Sequence, residues 1–292
     1  MVKVMLAQAG DEKKIDEMIK SGNWQFERKY DGERCVIQVK DVKTALAEKS
    51  RCVDLFNRTE KTINTQFPEL VEMAEHLPSG IYDGEIYVPS NEANKDKPTT
   101  SGRTSVNATD AKLLARVKPA TYMCFDVLEY EGENIENKSY EERKEILARV
   151  DSLRVLHFQG VFPIGVGCQQ SPDEREAEIK SAWAEIVATG NEGMVAKRVG
   201  SRYSHTRSPN WVKLKTKIER VLSFNQYEVN TAGALITDGF HRVQVGGVEK
   251  AQKVIDWINI HGSANCEIVG MAVTETGKIR QPVFKRMVGD YE

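Results

Sequence analysis

The chain has 292 residues, 40% of them hydrophobic, and its 41 basic and 43 acidic side chains leave a net charge of -2. That composition excludes a disordered polymer; no apolar run reaches about 18 residues, which excludes a membrane span; and the length suits one large core or two domains. Five cysteines at 35, 52, 124, 168 and 266 are odd in number and contain no CxxC pair, which argues against a disulfide framework or a zinc knuckle and for a reduced cytoplasm.

The first residues turn charged too early for a signal peptide. Residues 11–20 predict a short helix capped by Asp11, with Ile15, Met18 and Ile19 on its apolar side. Strands are expected over 24–28 and 35–40, and a further pair over 44–48 and 51–56. Residues 65–76 read as a helix with Phe67, Leu70, Val71 and Ala74 on one side and Pro68 in its first turn; Pro78-Ser79-Gly80 ends it. Residues 81–88 predict a strand interrupted by Asp83-Gly84, and the polar stretch 89–110 predicts a surface loop or loosely structured insertion.

A short helix is expected over 111–117 and an apolar strand over 122–128. Ser139 and Glu142 have capping-box spacing for a helix over 139–150. A strand follows over 161–167, then a long helix over 173–189, then strands over 193–198 and 211–215. After Lys217 the texture changes. Short strand-like runs at 219–229, 233–236, 240–245, 265–273 and 282–287, with one helix over 249–257, suit a small Greek-key barrel of the OB type. The domain boundary is therefore placed at 217, giving domains 1–217 and 218–292.

Charge is distributed less evenly than the total suggests. Residues 193–217 carry Lys197, Arg198, Arg202, Arg207, Lys213, Lys215 and Lys217 and no acid. Such a local field holds phosphates while the whole chain stays near neutral. Lys213 and Lys215 are two apart on one strand and point to one face, where two cations form a phosphate clamp; a basic edge strand is the structural alternative. Glu85 and Glu192 each sit beside a glycine in a strand context, and carboxylate is the hard ligand that holds Mg2+. Asp83 shares the face of Glu85 by alternation. Phe125 in an apolar strand reads by itself as core.

Lys29-Tyr30-Asp31-Gly32-Glu33-Arg34 places a lysine, a turn and an arginine between two strands. With Phe56-Asn57-Arg58, Asp83-Gly84-Glu85, Phe125-Asp126-Val127, Glu192 to Lys197, Trp211 to Lys215 and Arg280 to Arg286 in that order, the chain resembles the ATP-dependent DNA ligases of minimal two-domain type, within the nucleotidyltransferases that include mRNA capping enzymes. The resemblance covers nearly the whole chain. It implies an α+β fold: an ATP-grasp-like nucleotidyltransferase domain of antiparallel sheets with helices, followed by a small OB-fold β-barrel.

The resemblance also implies the chemistry. Lys29 attacks the α-phosphorus of ATP and carries AMP, which passes to the 5'-phosphate of a nick before the 3'-hydroxyl displaces it. A free lysine titrates near pH 10.4 and must lose its proton to attack. Glu27 reads the adenine edge, and Phe125 stacks on adenine with Met194 or Val195 opposite. Arg34 reaches ribose or the nick phosphate, and Glu85 and Glu192 serve Mg2+, with Mn2+ as substitute. Lys197, Lys213 and Lys215 bind phosphate, Arg58 and Arg207 contact DNA, and Arg280 and Arg286 orient pyrophosphate. The last motif departs from the family pattern at Val288, where an arginine is usual, so Lys285 shares that task. The expected partner is nicked duplex DNA, met by a monomer in the cytoplasm of a bacterial, archaeal or virus-infected cell during repair, replication or recombination. Three rivals share parts of the pattern: a capping guanylyltransferase, an RNA ligase, and a non-catalytic OB-type nucleic-acid binder. The near-terminal RQPVFKR favours the DNA ligase.

Overall fold

The computed structural model describes residues 3–44, 47–88, 102–165, 171–271, 273 and 277–289. In chain order the elements are β1 (Leu6–Ala9), α1 (Ile15–Lys20), β2 (Trp24–Lys29), β3 (Glu33–Thr44), β4 (Ala47–Asn57), α2 (Pro68–Glu75), β5 (Gly80–Tyr87), α3 (Ala108–Val117), β6 (Thr121–Tyr130), β7 (Glu133–Asn134), α4 (Tyr140–Asp151), β8 (Phe158–Gly160), α5 (Pro172–Ala188), β9 (Gly193–Arg198), β10 (Arg207–Lys215), β11 (Ile218–Phe224), β12 (Gln226–Asn230), β13 (Gly233–Thr237), β14 (Arg242–Gly246), α6 (Val248–His261), β15 (Ala264–Gly270) and β16 (Val283–Met287). They fall into two compact units, Met1–Glu185 with Gly193–Leu214, and Ile186–Glu192 with Lys215–Glu292.

The first unit holds two sheets, one ordered β1-β10-β9-β2 and one ordered β4-β3-β5-β6-β7 with β8 paired to β6. Alternation along β3 explains how the second sheet serves two layers. Cys35, Ile37 and Val39 enter the main core with Leu55, Tyr82 and Tyr122. Val36 points the other way and joins Ile81, Leu128, Tyr203 and Trp211. Leu70, Met73 and Ala74 of α2 and Leu147 and Val150 of α4 cover the main core. The predicted capping box holds the start of α4: Ser139 Oγ accepts from the Glu142 amide at 3.2 Å, and the Glu142 carboxylate accepts from the Ser139 amide at 2.7 Å.

Several expectations need revision. The sheets are not purely antiparallel, because β1 pairs with β10 and β6 with β8 in parallel. Of the two short strands expected over 44–48 and 51–56, Thr44 ends β3, residues 45 and 46 lie outside the described residues, and the remainder belongs to one strand, β4, in a long antiparallel pairing with β3. The strand expected over 161–167 gives way to β8, three residues earlier, and an isolated bridge from Ile164 to Phe26; residues 166–170, with Cys168, lie outside the described residues. Of the loop expected over 89–110, residues 89–101 lie outside the described residues. The remainder is well anchored. Asn107 caps α3 by accepting from the amides of Thr109 and Asp110, both at 3.0 Å. Arg103 is buried, donating to Glu69 Oε2 at 3.0 Å and to the Gln66 carbonyl at 2.9 Å. Its polar composition hid one buried ion pair.

In the second unit the α+β mixture is as expected, but the OB-fold β-barrel is not formed. Among the described residues the strands make two separate three-stranded sheets, β11-β15-β16 and β12-β13-β14, and neither closes. The run expected as one strand over 219–229 breaks at Asn225: Phe224 pairs with Ala264 in one sheet, whereas Gln226 pairs with Thr237 in the other. Short alternating runs mark strand-like segments, but where a strand breaks and whether a sheet closes depend on pairings remote in sequence, which alternation does not encode. Phe224, Ile236, Val245, Val254 and Ile268 form the core of this unit with one face of α6.

The Arg103–Glu69 pair provides a test. Replacing Arg103 with Met leaves a buried carboxylate without its cation, and breaking such a pair costs roughly 3 kcal/mol; chemical denaturation of Arg103→Met against wild type is expected to show a loss of that order.

Candidate nucleotide site

β2 ends at Lys29 in the four-stranded sheet, and after three intervening residues the chain enters the other sheet at Glu33 of β3. The crossing is tight. A β-carbon on Gly32 would stand 2.0 Å from the Ile86 carbonyl oxygen and 2.9 Å from the Glu85 side chain. The glycine is required by this close approach, since its φ lies outside the left-handed region. The turn sets Lys29 opposite Gly193 of β9, and Arg34 opposite Glu85 of β5.

A cavity of about 370 Å³ opens at this crossing. Lys29, Arg34, Glu85, Phe125, Lys197 and Lys213 line it, and Glu27, Arg58, Arg207 and Trp211 complete the wall. Sequence motifs from six strands thus converge on one volume. Met194 is fully buried and off the wall. Its neighbour Val195 lines the cavity, because alternation along β9 brings Val195 and Lys197 to one face.

Arg34 grips both oxygens of Asp83 at 2.6 Å and donates to the Met5 carbonyl at 3.1 Å. Its guanidinium carbon lies 4.6 Å from the Phe125 ring centre. Burial alone would lower the Arg34 pKa, but Asp83 outweighs it and holds the group charged. Asp83 also accepts from the Tyr203 hydroxyl at 2.7 Å. Asp83 therefore anchors Arg34, while Glu85 stays on the cavity wall. Phe125 packs edge-on against Trp211 with centroids 5.8 Å apart. Arg207 donates to the Ala7 carbonyl at 2.6 Å, fixing the parallel β1–β10 pair.

Behind Phe125 lies a buried ionic cluster that the motifs do not announce. Glu27 Oε2 pairs with Lys197 at 2.8 Å, and Glu27 Oε1 accepts from the Tyr140 hydroxyl at 2.5 Å and pairs with Lys144. The Lys197 ammonium also lies 4.2 Å from the Trp211 ring centre. Desolvation, reinforced by the Lys144 charge, brings Lys197 down to about 8 despite Glu27. Next to it Asp126 is held by Arg143 at 2.7 and 3.0 Å; burial raises its carboxyl, but Arg143 prevails and the pKa is lowered. Sequence reasoning missed Arg143 and Lys144 because EERKE resembles a solvated helix face. The signal was the period: Tyr140, Arg143, Lys144, Leu147 and Val150 form one buried helical stripe.

The remaining expected residues belong to the second unit. Glu192 pairs with Lys215 at 2.8 Å. Arg286 donates to Glu267 at 2.6 Å, and Lys285 donates to Glu219 at 2.9 Å and Glu267 at 3.1 Å. Hydrogen bonds from Arg286 and Lys285 hold the Glu267 carboxyl down to about 2. The Arg280 carbonyl accepts from the Met271 amide at 3.0 Å.

A family model described as the ATP dependent DNA ligase domain matches residues 4–215, the span that builds this cavity. The chain belongs to the ATP-dependent DNA ligase family. Its membership implies use of ATP. Among similar proteins, the bifunctional non-homologous end joining protein LigD of Bacillus subtilis is 28% identical over 241 residues, covering 76% of this chain and 35% of that protein. The chain thus spans about a third of the length of that ligase relative. In structure it is similar to a Lig E DNA ligase described as binding DNA with a minimal scaffold, at TM-score 0.66 and 15% identity over 97% of this chain and 99% of that one. The ligase domain of M. tuberculosis LigD gives 0.56 and 19% over 99% and 95%. Among the described residues no helix is long and apolar enough to cross a membrane.

Lys197 makes a prediction about pH. Its folded-state value of about 8 lies below the ordinary 10.5, so between these values the unfolded ligase binds the extra proton and stability rises with pH. The groups facing it are Glu27, Lys144, Tyr140 and Asp126 with Arg143. Denaturation at pH 8, 9 and 10 is expected to show a gain on the order of 2 kcal/mol that Lys197→Met abolishes.

Proposed function

We propose that this chain seals nicks bearing a 5'-phosphate and a 3'-hydroxyl in duplex DNA, through a covalent lysyl-AMP on Lys29 and a DNA-adenylate. The observation that carries this reading is the placement of Lys29 on the wall of one cavity with Phe125, Glu85, Arg34, Lys197 and Lys213. These are an aromatic platform, a hard carboxylate and converging cations around one amine.

Adenine stacks on Phe125, with Val195 on the opposite side and Glu27 at the base edge. The neutral Lys29 amine attacks the α-phosphorus; the P–N bond forms as the bond to pyrophosphate breaks, and pyrophosphate carries the electron pair away. Phosphoryl transfer of this kind needs alignment and charge stabilisation above all, which Lys197, Lys213 and Lys215 supply. The last motif assigns Arg280 and Arg286, with Lys285, to the pyrophosphate. The 5'-phosphate of the nick then takes AMP from Lys29, and the 3'-hydroxyl displaces it. Arg58 and Arg207 contact the DNA backbone, independent of sequence, as does the basic run 193–217. The boundary between adenylation domain and small domain is taken at 217.

Among the described residues no group of three or more His, Cys, Asp or Glu gathers to cage a metal. Glu85 and Glu33 are the carboxylates on the cavity wall besides Glu27. That donor set fits Mg2+ or Mn2+ held by one or two carboxylates and by substrate phosphates, the mode Mg2+ prefers. Glu85 is the proposed ligand in the cavity and Glu192 the second. The ion, when bound, neutralises charge on the triphosphate oxygens.

Intact-mass measurement after incubation with ATP and Mg2+ is expected to show a gain of one AMP that Lys29→Ala loses. Labelled nicked DNA is expected to be sealed, ahead of nicked RNA and hybrid duplexes. Guanylylation by GTP without sealing would overturn the ligase reading. Duplex affinity is expected to drop steeply between about 50 and 200 mM salt, as counterion release requires; binding insensitive to salt would remove the basic run from the interface.

A further inference from the structure

We infer that Lys144 is a specificity-determining positioning residue, which holds Glu27 and Phe125 so that the base edge meets a carboxylate with one acceptor position left. The inference rests on the nucleotidyl-transfer reading above and goes beyond it in naming a residue outside the motifs.

Glu27 is 2% exposed yet lies on the cavity wall, two residues before Lys29. An ionised carboxylate offers about four lone-pair positions. Three are taken, by Tyr140 and Lys144 on Oε1 and by Lys197 on Oε2. Glu27 therefore accepts one more donor, on Oε2. A 6-amino group of a purine supplies that donor. A 6-carbonyl oxygen, as in guanine or hypoxanthine, would bring a lone pair against a buried anion. A site built around a buried hydrogen bond rejects the analogue that lacks it, because its own polar group is left unpaired.

Lys144 links the two halves of this arrangement. Its three protons have three acceptors: Glu27, the Phe125 carbonyl at 2.7 Å and the Val161 carbonyl at 2.6 Å. Lys197 donates to the same Phe125 carbonyl at 3.0 Å. The edge reader and the stacking platform are thus tied to one ammonium. Tyr140 and Lys144 stand four residues apart on α4, neighbours on one helical face, and both reach Oε1. Removing the Lys144 charge leaves Glu27 with Tyr140 and Lys197 alone and the Phe125 carbonyl with Lys197 alone, which loosens both. Charge is lost too: with Lys197 the cluster offers two cations to one carboxylate, so the variant keeps a balanced pair and remains compatible with folding.

The test uses the full chain, with nucleotidyl transfer to protein followed by intact mass over a range of ATP, GTP and inosine triphosphate. Wild type is expected to prefer ATP to inosine triphosphate. Lys144→Met is expected to lose about tenfold or more of that preference, mainly through a raised KM for ATP, and Lys144→Arg to restore part of it. An unchanged ATP preference in Lys144→Met, or an equal loss with all three nucleotides, overturns the inference. Should Lys144→Met not fold, Tyr140→Phe removes one donor from Oε1 without changing charge and carries the same test, with a smaller shift in the same direction expected and none overturning it. Absence of any adduct in wild type would instead sink the nucleotidyl-transfer reading itself.

Discussion

At Gly32 the turn passes so close to β5 that a β-carbon would meet the Ile86 carbonyl oxygen at 2.0 Å. Much else in the first unit follows from that constraint. The chain must leave one sheet and enter the other within three residues, and only a residue without a side chain lets β3 seat against β5 at the crossing. Lys29 ends one sheet and Arg34 begins the other, in register with Gly193 and Glu85. A displacement at Gly32 would alter the distance between Lys29, the proposed attacking amine, and the other groups on the cavity wall, and placement to within about 1 Å matters when catalysis depends on alignment.

Around this crossing the protein buries charge to an unusual degree. Arg34 with Asp83, Arg143 with Asp126, and Glu27 with Lys144 and Lys197 are three clusters on adjacent strands and one helix. Desolvation makes such pairs weak contributors to net stability relative to apolar packing, while loss of one partner is costly. Their value lies in fixing direction. The Asp83 and Glu27 clusters hold cavity-lining side chains, Arg34 and Lys197, in a single orientation, as a site that works by preorganised electrostatics requires. The lowered Lys197 pKa is the cost of that arrangement made visible.

Local chemistry was legible wherever the signal was local. The capping box at Ser139 and Glu142, the strand carrying Lys213 and the turn at Asp31-Gly32 stand where their residues place them. Readings failed where a remote partner decides. Arg103 sits in a polar stretch, yet Glu69, far away in sequence, makes it a core residue. Lys144 sits in a run of charges, yet the helical period turns it inward. Residues 219–229 alternate like one strand, yet Asn225 divides them between two sheets that do not close.

The amino-acid sequence by itself supplied the candidate groups and their order: an amine at Lys29, carboxylates at Glu85 and Glu192, an aromatic at Phe125, and cations at Lys197, Lys213 and Lys215. They were legible through the order of the motifs and the family these resemble, since each residue taken alone reads equally as a solvated charge or a core aromatic. The tertiary structure decided which of them share a cavity, that Val195 and not Met194 faces it, that Asp83 serves Arg34, and that Lys144 stands behind Glu27. Those outcomes depend on pairings between strands and on burial, and both are set by residues scores of positions away.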